Sequence, residues 1–194
     1  MQVETLPSLY SQYTELLEEK KTKMLAPQRT FNHAINLKEG VEPSRGPIYP
    51  MLAHQQSELD EYLKKLVAEE KIPDRESPYG APILLVPKPN RCLRLCVDHR
   101  NLNKLTILNK YTLPLMDELR DCVAGATVFT KLDLKDGYHL IRMRKSDEHK
   151  TAFRTRYSQY KYKVMPFGLV TFPATVQTMM NKIQTEPLDH AVVV

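Results

Sequence analysis

No apolar run in this 194-residue sequence approaches the ~20 residues of a membrane-spanning helix. No basic-then-apolar N-terminal segment of the secretory kind opens it either. These absences point to an intracellular protein, or to an internal piece of a longer one, with no membrane partner. Cysteine is scarce: Cys92, Cys96 and Cys122 are the full set, and an odd, small number argues against a disulfide framework. Cys92 and Cys96 have no second ligand pair nearby and read as small apolar residues of a strand. Six glycines against fourteen prolines predict many turns and few long helices. The acidic side chains are unevenly spread. Residues 1–80 carry 10 basic and 13 acidic side chains, residues 81–163 carry 17 and 8, and residues 164–194 carry 1 and 2. The middle of the chain is therefore +9. A polyanion-binding surface requires such a local excess, and an ordinary solvated basic face has the same signature. Hydrophobic residues make up 42% of the chain, enough for a core in one domain, or one domain with an arm.

The pattern along the chain is that of an α+β protein. Leu9, Tyr13, Leu16 and Leu17 allow a short helix to about Lys23. Pro27, Pro43, Pro47 and Pro50 then interrupt any regular element, so residues 1–50 read as an extended arm or linker. Leu59, Tyr62, Leu63, Leu66 and Val67 recur at helical spacing and predict a helix over 52–71, stopped by Pro73. Residues 83–86 and 93–97 read as a strand hairpin with a basic tip carrying Lys88, Arg91 and Arg94. A helix is expected over 115–123, between Pro114 and Gly125. Strands are expected over 127–134, 138–144, 151–156 and 160–165. Pro173 suits the first turn of a helix reaching about Gln184, with Thr171 near its cap. Residues 191–194 begin an apolar strand.

Three features could carry chemistry. Asp133 closes an apolar strand, where a carboxylate is costly unless a cation compensates it, although strand-end aspartates also serve as turn formers. Asp136, three residues on, could join it or cap the turn. Lys88 and Arg94 suit phosphate, as a point charge and a bidentate fork, or simply a solvated hairpin tip. In Met165-Pro166-Phe167-Gly168-Leu169, a glycine beside an aromatic lets a flat base or sugar approach the backbone, or marks a plain loop.

Taken in order, these segments resemble one family. Phe129-Thr130-Lys131-Leu132-Asp133-Leu134 followed by Gly137-Tyr138-His139 resembles the first carboxylate motif of reverse transcriptases. The run from Leu93-Arg94-Leu95 through Asp98-His99-Arg100-Asn101-Leu102-Asn103-Lys104 resembles their fingers segment. Thr151-Ala152-Phe153-Arg154, Met165-Pro166-Phe167-Gly168 and Pro173-Ala174-Thr175 follow in the family's order. Phe31-Asn32-His33-Ala34-Ile35 and Gly46-Pro47-Ile48-Tyr49 are similar to the stretch leading from protease to polymerase in gypsy-type long-terminal-repeat retrotransposons, in their fungal-like form. The resemblance covers roughly residues 27–194.

That resemblance implies a right-hand polymerase fold. Residues 1–50 would be the arm from the protease side, 51–125 fingers and the start of the palm, and 126–194 partial palm. Asp133 would be the catalytic carboxylate and, with the Leu134 carbonyl, a ligand of two Mg2+ (or Mn2+) ions. Lys88, Arg94 and the backbone at Asp136 and Gly137 would meet the triphosphate of a deoxynucleotide. Tyr138 would lie under the sugar and reject a 2′ hydroxyl. Phe167 and Gly168 would line the nucleotide and template pocket. Arg91, Arg100 and Lys104 would meet an RNA or DNA template with its primer.

The sequence departs from the family pattern in places. The hairpin tip reads Pro87-Lys88-Pro89-Asn90-Arg91. Phe172 replaces a small residue at a tight position, and Ser158 replaces a turn glycine, which predicts strain. The Tyr-X-Asp-Asp hairpin, bearing two of three catalytic carboxylates, is expected immediately after Val194. Polymerisation is therefore expected of the longer polyprotein, with its thumb, ribonuclease H and integrase segments, in cytoplasmic particles, and not of these residues alone. An exposed apolar sheet edge and marginal stability are expected with it. The alternative is a non-enzymatic nucleic-acid-binding remnant; a third reading, an interaction protein reusing the scaffold, predicts no such binding.

Overall fold

The computed structural model describes residues 12, 25–74, 76–87, 93–112, 114–131, 134 and 136–184. The helix expected before Lys23, the hairpin tip at 88–92 and the strand at 191–194 lie outside them.

Helix α1 is Ala53–Ala68. Its spacing buries Leu59, Leu63 and Leu66, packs Tyr62 partly, and leaves Val67 exposed. It ends before residue 71 and without help from Pro73. Glu70 takes a left-handed φ of 54°. The Lys71 N–H then bonds the Leu66 carbonyl at 3.0 Å, a pattern that closes helices on a left-handed residue.

Strands β1 (Ile83–Pro87) and β2 (Leu93–Val97) form the expected antiparallel hairpin, with Ile83 opposite Val97 and Pro87 opposite Leu93. Helix α2, Arg100–Leu105, follows. Six residues with one buried apolar position, Leu102, are too short for a periodic signal. Helix α3 is Met116–Cys122 and helix α4 is Phe172–Ile183, both where the sequence predicts them, with Pro173 in the first turn of α4.

The predicted strands between α3 and α4 are largely not strands. Residues 127–131 have no regular structure, and Val128 and Phe129 are 84% and 67% exposed. A strand exists by its ladder, and among the described residues no backbone bonds reach 127–131. Residues Gly137–Leu140 form a tight 3-10 turn, leaving single bridges from His33 to Met143 and from Arg142 to Val164. A second such turn, Glu148–Thr151, precedes β3 (Phe153–Arg154), which pairs with β4 (Gln159–Tyr160). Here side chains replace ladder bonds: the Tyr162 N–H donates to Thr151 Oγ1 at 2.9 Å and the Ile35 N–H to Asp147 Oδ2 at 3.1 Å. Ser158 carries no strain, since among the described non-glycine residues only Glu70 and Asp136 have positive φ.

Two cores result. In one, α1 packs Leu59, Leu63 and Leu66 on Ile83 and Val97 of the hairpin and on Phe153. In the other, Ile35, Leu102, Ile141, Met143, Met165 and Met179 meet. Residues 25–50 form no helix or strand, yet His33 and Ile35 are buried, and single bridges join Leu37 to Thr106 and Arg45 to Gly80. Among the described residues, no helix is long and apolar enough to cross a membrane.

Candidate functional site

The site is built on two loops and the short helix α2. The first loop follows residue 133. The Leu134 carbonyl accepts the Gly137 N–H at 3.1 Å, and the Asp136 carbonyl accepts the His139 N–H at 2.8 Å. Asp136 sits in the left-handed region at φ 50°, which aspartate tolerates better than most residues. This winding lifts Tyr138 out of the turn. Its ring lies 4.3 Å from that of Phe167, at 56°, and 4.5 Å from that of Phe172, at 38°. Phe172 thus finds room at its supposedly tight position by stacking on Tyr138. Tyr138 and Phe167 stay 38% and 37% exposed, so the cluster presents a half-open aromatic platform. Beside it, burial and the nearby Lys71 lower the His139 pKa to about 4, which keeps that ring neutral.

The second loop carries Phe167. Gly168 has φ 95°, where a side chain is strained, and a Cβ there would stand 3.4 Å from the Val97 carbonyl oxygen. Asn103 of α2 clasps this loop from both sides. Its Nδ2 donates to the Gly168 carbonyl at 2.7 Å, and its Oδ1 accepts the Val170 N–H at 3.0 Å. At the start of α2, Asp98 accepts from the Arg100 guanidinium at 2.7 and 2.9 Å and from the Arg100 backbone N–H at 3.1 Å. Those hydrogen bonds hold the Asp98 carboxyl below its usual range. His99, between them, is buried, and neither ring nitrogen has a hydrogen-bond partner among the described residues. Burial lowers its pKa to about 4.

The structure thus brings together Asp136, Gly137, Tyr138, Phe167 and Gly168, with the exposed Leu134 on the same turn. Arg100 and Lys104 lie one turn apart on exposed α2. Arg94 sits on β2 opposite Val86. Asp133, Lys88 and Arg91 fall outside the described residues. Asn103 and Phe172 are the additions to the sequence reading. Asn103 grips a loop 65 residues away, a pairing for which a lone asparagine gives no sequence signal.

A divalent cation would need hard oxygen donors. The Leu134 carbonyl is of that class, and one of its two lone pairs is used by Gly137. Among the described residues no group of three His, Cys, Asp or Glu could hold a metal ion, so they do not build a metal centre by themselves.

Comparisons with known proteins bear on the family and the fold. Residues 86–193 match the family model described as reverse transcriptase (RNA-dependent DNA polymerase). The chain is 36% identical over 191 residues to the transposon Tf2-3 polyprotein of Schizosaccharomyces pombe, covering 97% of this chain and 14% of that relative. The Tf2-7 polyprotein of the same organism gives the same figures. The chain thus spans 14% of the length of these relatives. Among solved structures, it is similar to a foamy viral protease-reverse transcriptase in complex with an RNA/DNA hybrid. The TM-score is 0.66 at 20% identity, over 90% of this chain and 24% of that one. At that identity the likeness speaks for the fold, a partial polymerase fold.

Proposed function

Since the chain belongs to the reverse transcriptase family, we propose that it is the fingers and partial palm of a gypsy-type retrotransposon polymerase. That enzyme adds deoxynucleotides to a primer on an RNA or DNA template. The observation that carries this reading is the stacking of Tyr138 on Phe167 and Phe172 beside the turn that follows Asp133. Tyr138 meets two aromatic residues of a distant segment, and the three tilted rings make one half-open aromatic surface beside the turn that follows the family's carboxylate motif.

On this reading the sugar of the incoming nucleotide lies over Tyr138, whose ring leaves no room for a 2′ hydroxyl. Phe167 and Gly168 face the base and template, and the Asn103 clasp holds them in position. Lys88, Arg94 and the backbone at Asp136 and Gly137 take the triphosphate. Arg91, Arg100 and Lys104 take the phosphate backbone of template and primer. Reverse transcriptases as a family use divalent metal ions. Asp133 and the Leu134 carbonyl would be the donors of this segment to such ions, as Mg2+ or Mn2+, and the chemistry the ions would supply is activation of the primer hydroxyl and stabilisation of the leaving pyrophosphate. One carboxylate cannot hold two such ions against their repulsion, so the remaining carboxylates come from a Tyr-X-Asp-Asp hairpin of the longer polyprotein. Its thumb, ribonuclease H and integrase segments are the other partners, and cytoplasmic particles the setting.

The test is primer extension by the polyprotein's polymerase region. Asp133→Asn is expected to cost roughly a hundredfold or more in rate. Tyr138→Ala is expected to raise the ratio of ribonucleotide to deoxynucleotide incorporation. Full activity of Asp133→Asn would overturn the reading. The +9 middle of the chain also favours a second reading, a nucleic-acid-binding remnant without catalysis. It predicts salt-sensitive binding with no incorporation in any context.

A further inference from the structure

Residues 36–38 run alongside residues 105–107. Leu37 pairs with Thr106 in antiparallel sense. The Lys38 N–H bonds the Leu105 carbonyl at 2.9 Å, and the Ile107 N–H bonds the Asn36 carbonyl at 2.8 Å. This pairing delivers Lys38 to the C-terminal end of α2, where its Nζ donates to the Lys104 carbonyl at 2.9 Å. Lys104 and Arg100 occupy one face of α2, four residues apart, and all three side chains are exposed.

The three cations are not equivalent. Asp98 pairs with Arg100 at 2.7 Å and engages part of its guanidinium, which stays largely exposed. Among the described residues, neither Lys38 nor Lys104 forms an ion pair. A lysine that donates to a helix-end carbonyl is an ordinary cap. This one retains two further N–H donors and its charge, at the backbone of a residue whose own ammonium also has no ion pair among the described residues. Two exposed cations carried on adjoining segments favour an anion that can meet both.

We infer that Lys38, brought from the N-terminal stretch, joins Lys104 in gripping the phosphate backbone of a nucleic-acid duplex. The inference rests on the proposed function, and it makes residues 36–38 part of the nucleic-acid surface. Ammonium groups, as point charges, suit a backbone grip that ignores sequence.

The experiment is fluorescence anisotropy of a labelled template–primer duplex with the 194-residue chain, across a salt series. Lys38→Gln keeps a donor for the Lys104 carbonyl and removes the charge, so capping and phosphate contact separate. The expected result is an unchanged thermal melt and a salt slope smaller by about one, as for one lost phosphate contact. Lys38→Arg should restore the slope. An unchanged slope for Lys38→Gln, with a reduced one for Lys104→Gln, would overturn the inference and leave the polymerase reading standing. Salt-independent binding, or none, by the unaltered chain would overturn both. Equal competition by polyglutamate would also overturn it, since the pair would then serve an acidic protein.

Discussion

Helix α1 and the segment around α3 both carry apolar residues at helical spacing, and they bury them to opposite extents. Leu59 and Leu66 of α1 are 1% and 2% exposed, whereas Met116 of α3 is 69% exposed. Yet both are helices. The α3 helix is held locally: the Leu115 N–H donates to Glu118 at 3.3 Å, Asp117 pairs with Arg120 at 3.3 Å, and acidic residues sit in its first turn. Residues 127–131, a few positions on, have strand composition and no strand. The contrast separates two kinds of order. A helix closes its hydrogen bonds within itself, so sequence can specify it without a partner. A strand borrows them from a neighbour.

The largest way to test that contrast is on the packed side. Phe153 is fully buried, with its ring 5.1 Å from that of Tyr162 and 5.7 Å from that of Tyr160. Phe153→Ala should destabilise the fold by about 3–5 kcal/mol, read as a lower urea midpoint. A cost below about 1 kcal/mol would mean that this core is not shared by α1 and the hairpin.

Acid should act on the same side. Burial lowers the pKa of both His33 and His99 from 6.5 to about 4. Folded, both rings are neutral over that range, while the unfolded chain takes up protons as the pH falls through 6.5. Stability should therefore be full above pH 6.5 and decline toward pH 4, by on the order of 1–3 kcal/mol for each group. His33 bonds Thr175 Oγ1 at 2.8 Å and contacts Thr171 Oγ1 at 3.3 Å, so its protonation loosens the N-terminal stretch from α4. Equal urea midpoints at pH 7.5 and pH 5 would sink this account. Because both His99 nitrogens lack partners, His99→Phe should flatten part of the profile without loss of stability at neutral pH.

This division explains what could be read in advance. The hairpin, α1, α3 and α4 follow from local period, caps and proline. Even so, the end of α1 was set by the left-handed Glu70 and not by Pro73, because no pattern of side chains signals which non-glycine residue will turn left. The stretch after Gly137 departs from the strands its composition predicts, because Asp147 and Thr151 give their side chains to backbone groups that a strand would have paired. At the site, the motifs named Tyr138, Phe167 and Gly168, and the fold gathers them. The clasp by Asn103, the stacking of Phe172 and the burial of His33 depend on contacts between distant segments, and spacing carries no trace of those.

A smaller effect should follow at the boundary between the two regions. Asn103→Ala removes both bonds that hold Gly168 and Val170 and should cost about 1–2 kcal/mol. Its larger consequence should be a weakened hold on the Phe167 loop, read as a rise in KM for deoxynucleotides with the polyprotein's polymerase region. A rise no greater than that of a surface control such as Glu58→Ala would show that the loop holds its shape unaided.

The smallest change is expected on the exposed side, where it is also the most informative. Val128 and Phe129 gain nothing from burial here, so Val128→Ser and Phe129→Ser should shift stability by no more than about 0.5 kcal/mol. Their effect should appear in solubility, because contiguous exposed apolar side chains promote association. Phe129→Ser should raise the concentration at which the chain begins to self-associate, measured by light scattering. A cost above about 2 kcal/mol would require Phe129 to be buried in solution and residues 127–131 to have found a ladder partner. The helix at α3 would then no longer differ from that strand in needing no neighbour, and the contrast between self-contained and borrowed order would fail at the point where it was drawn.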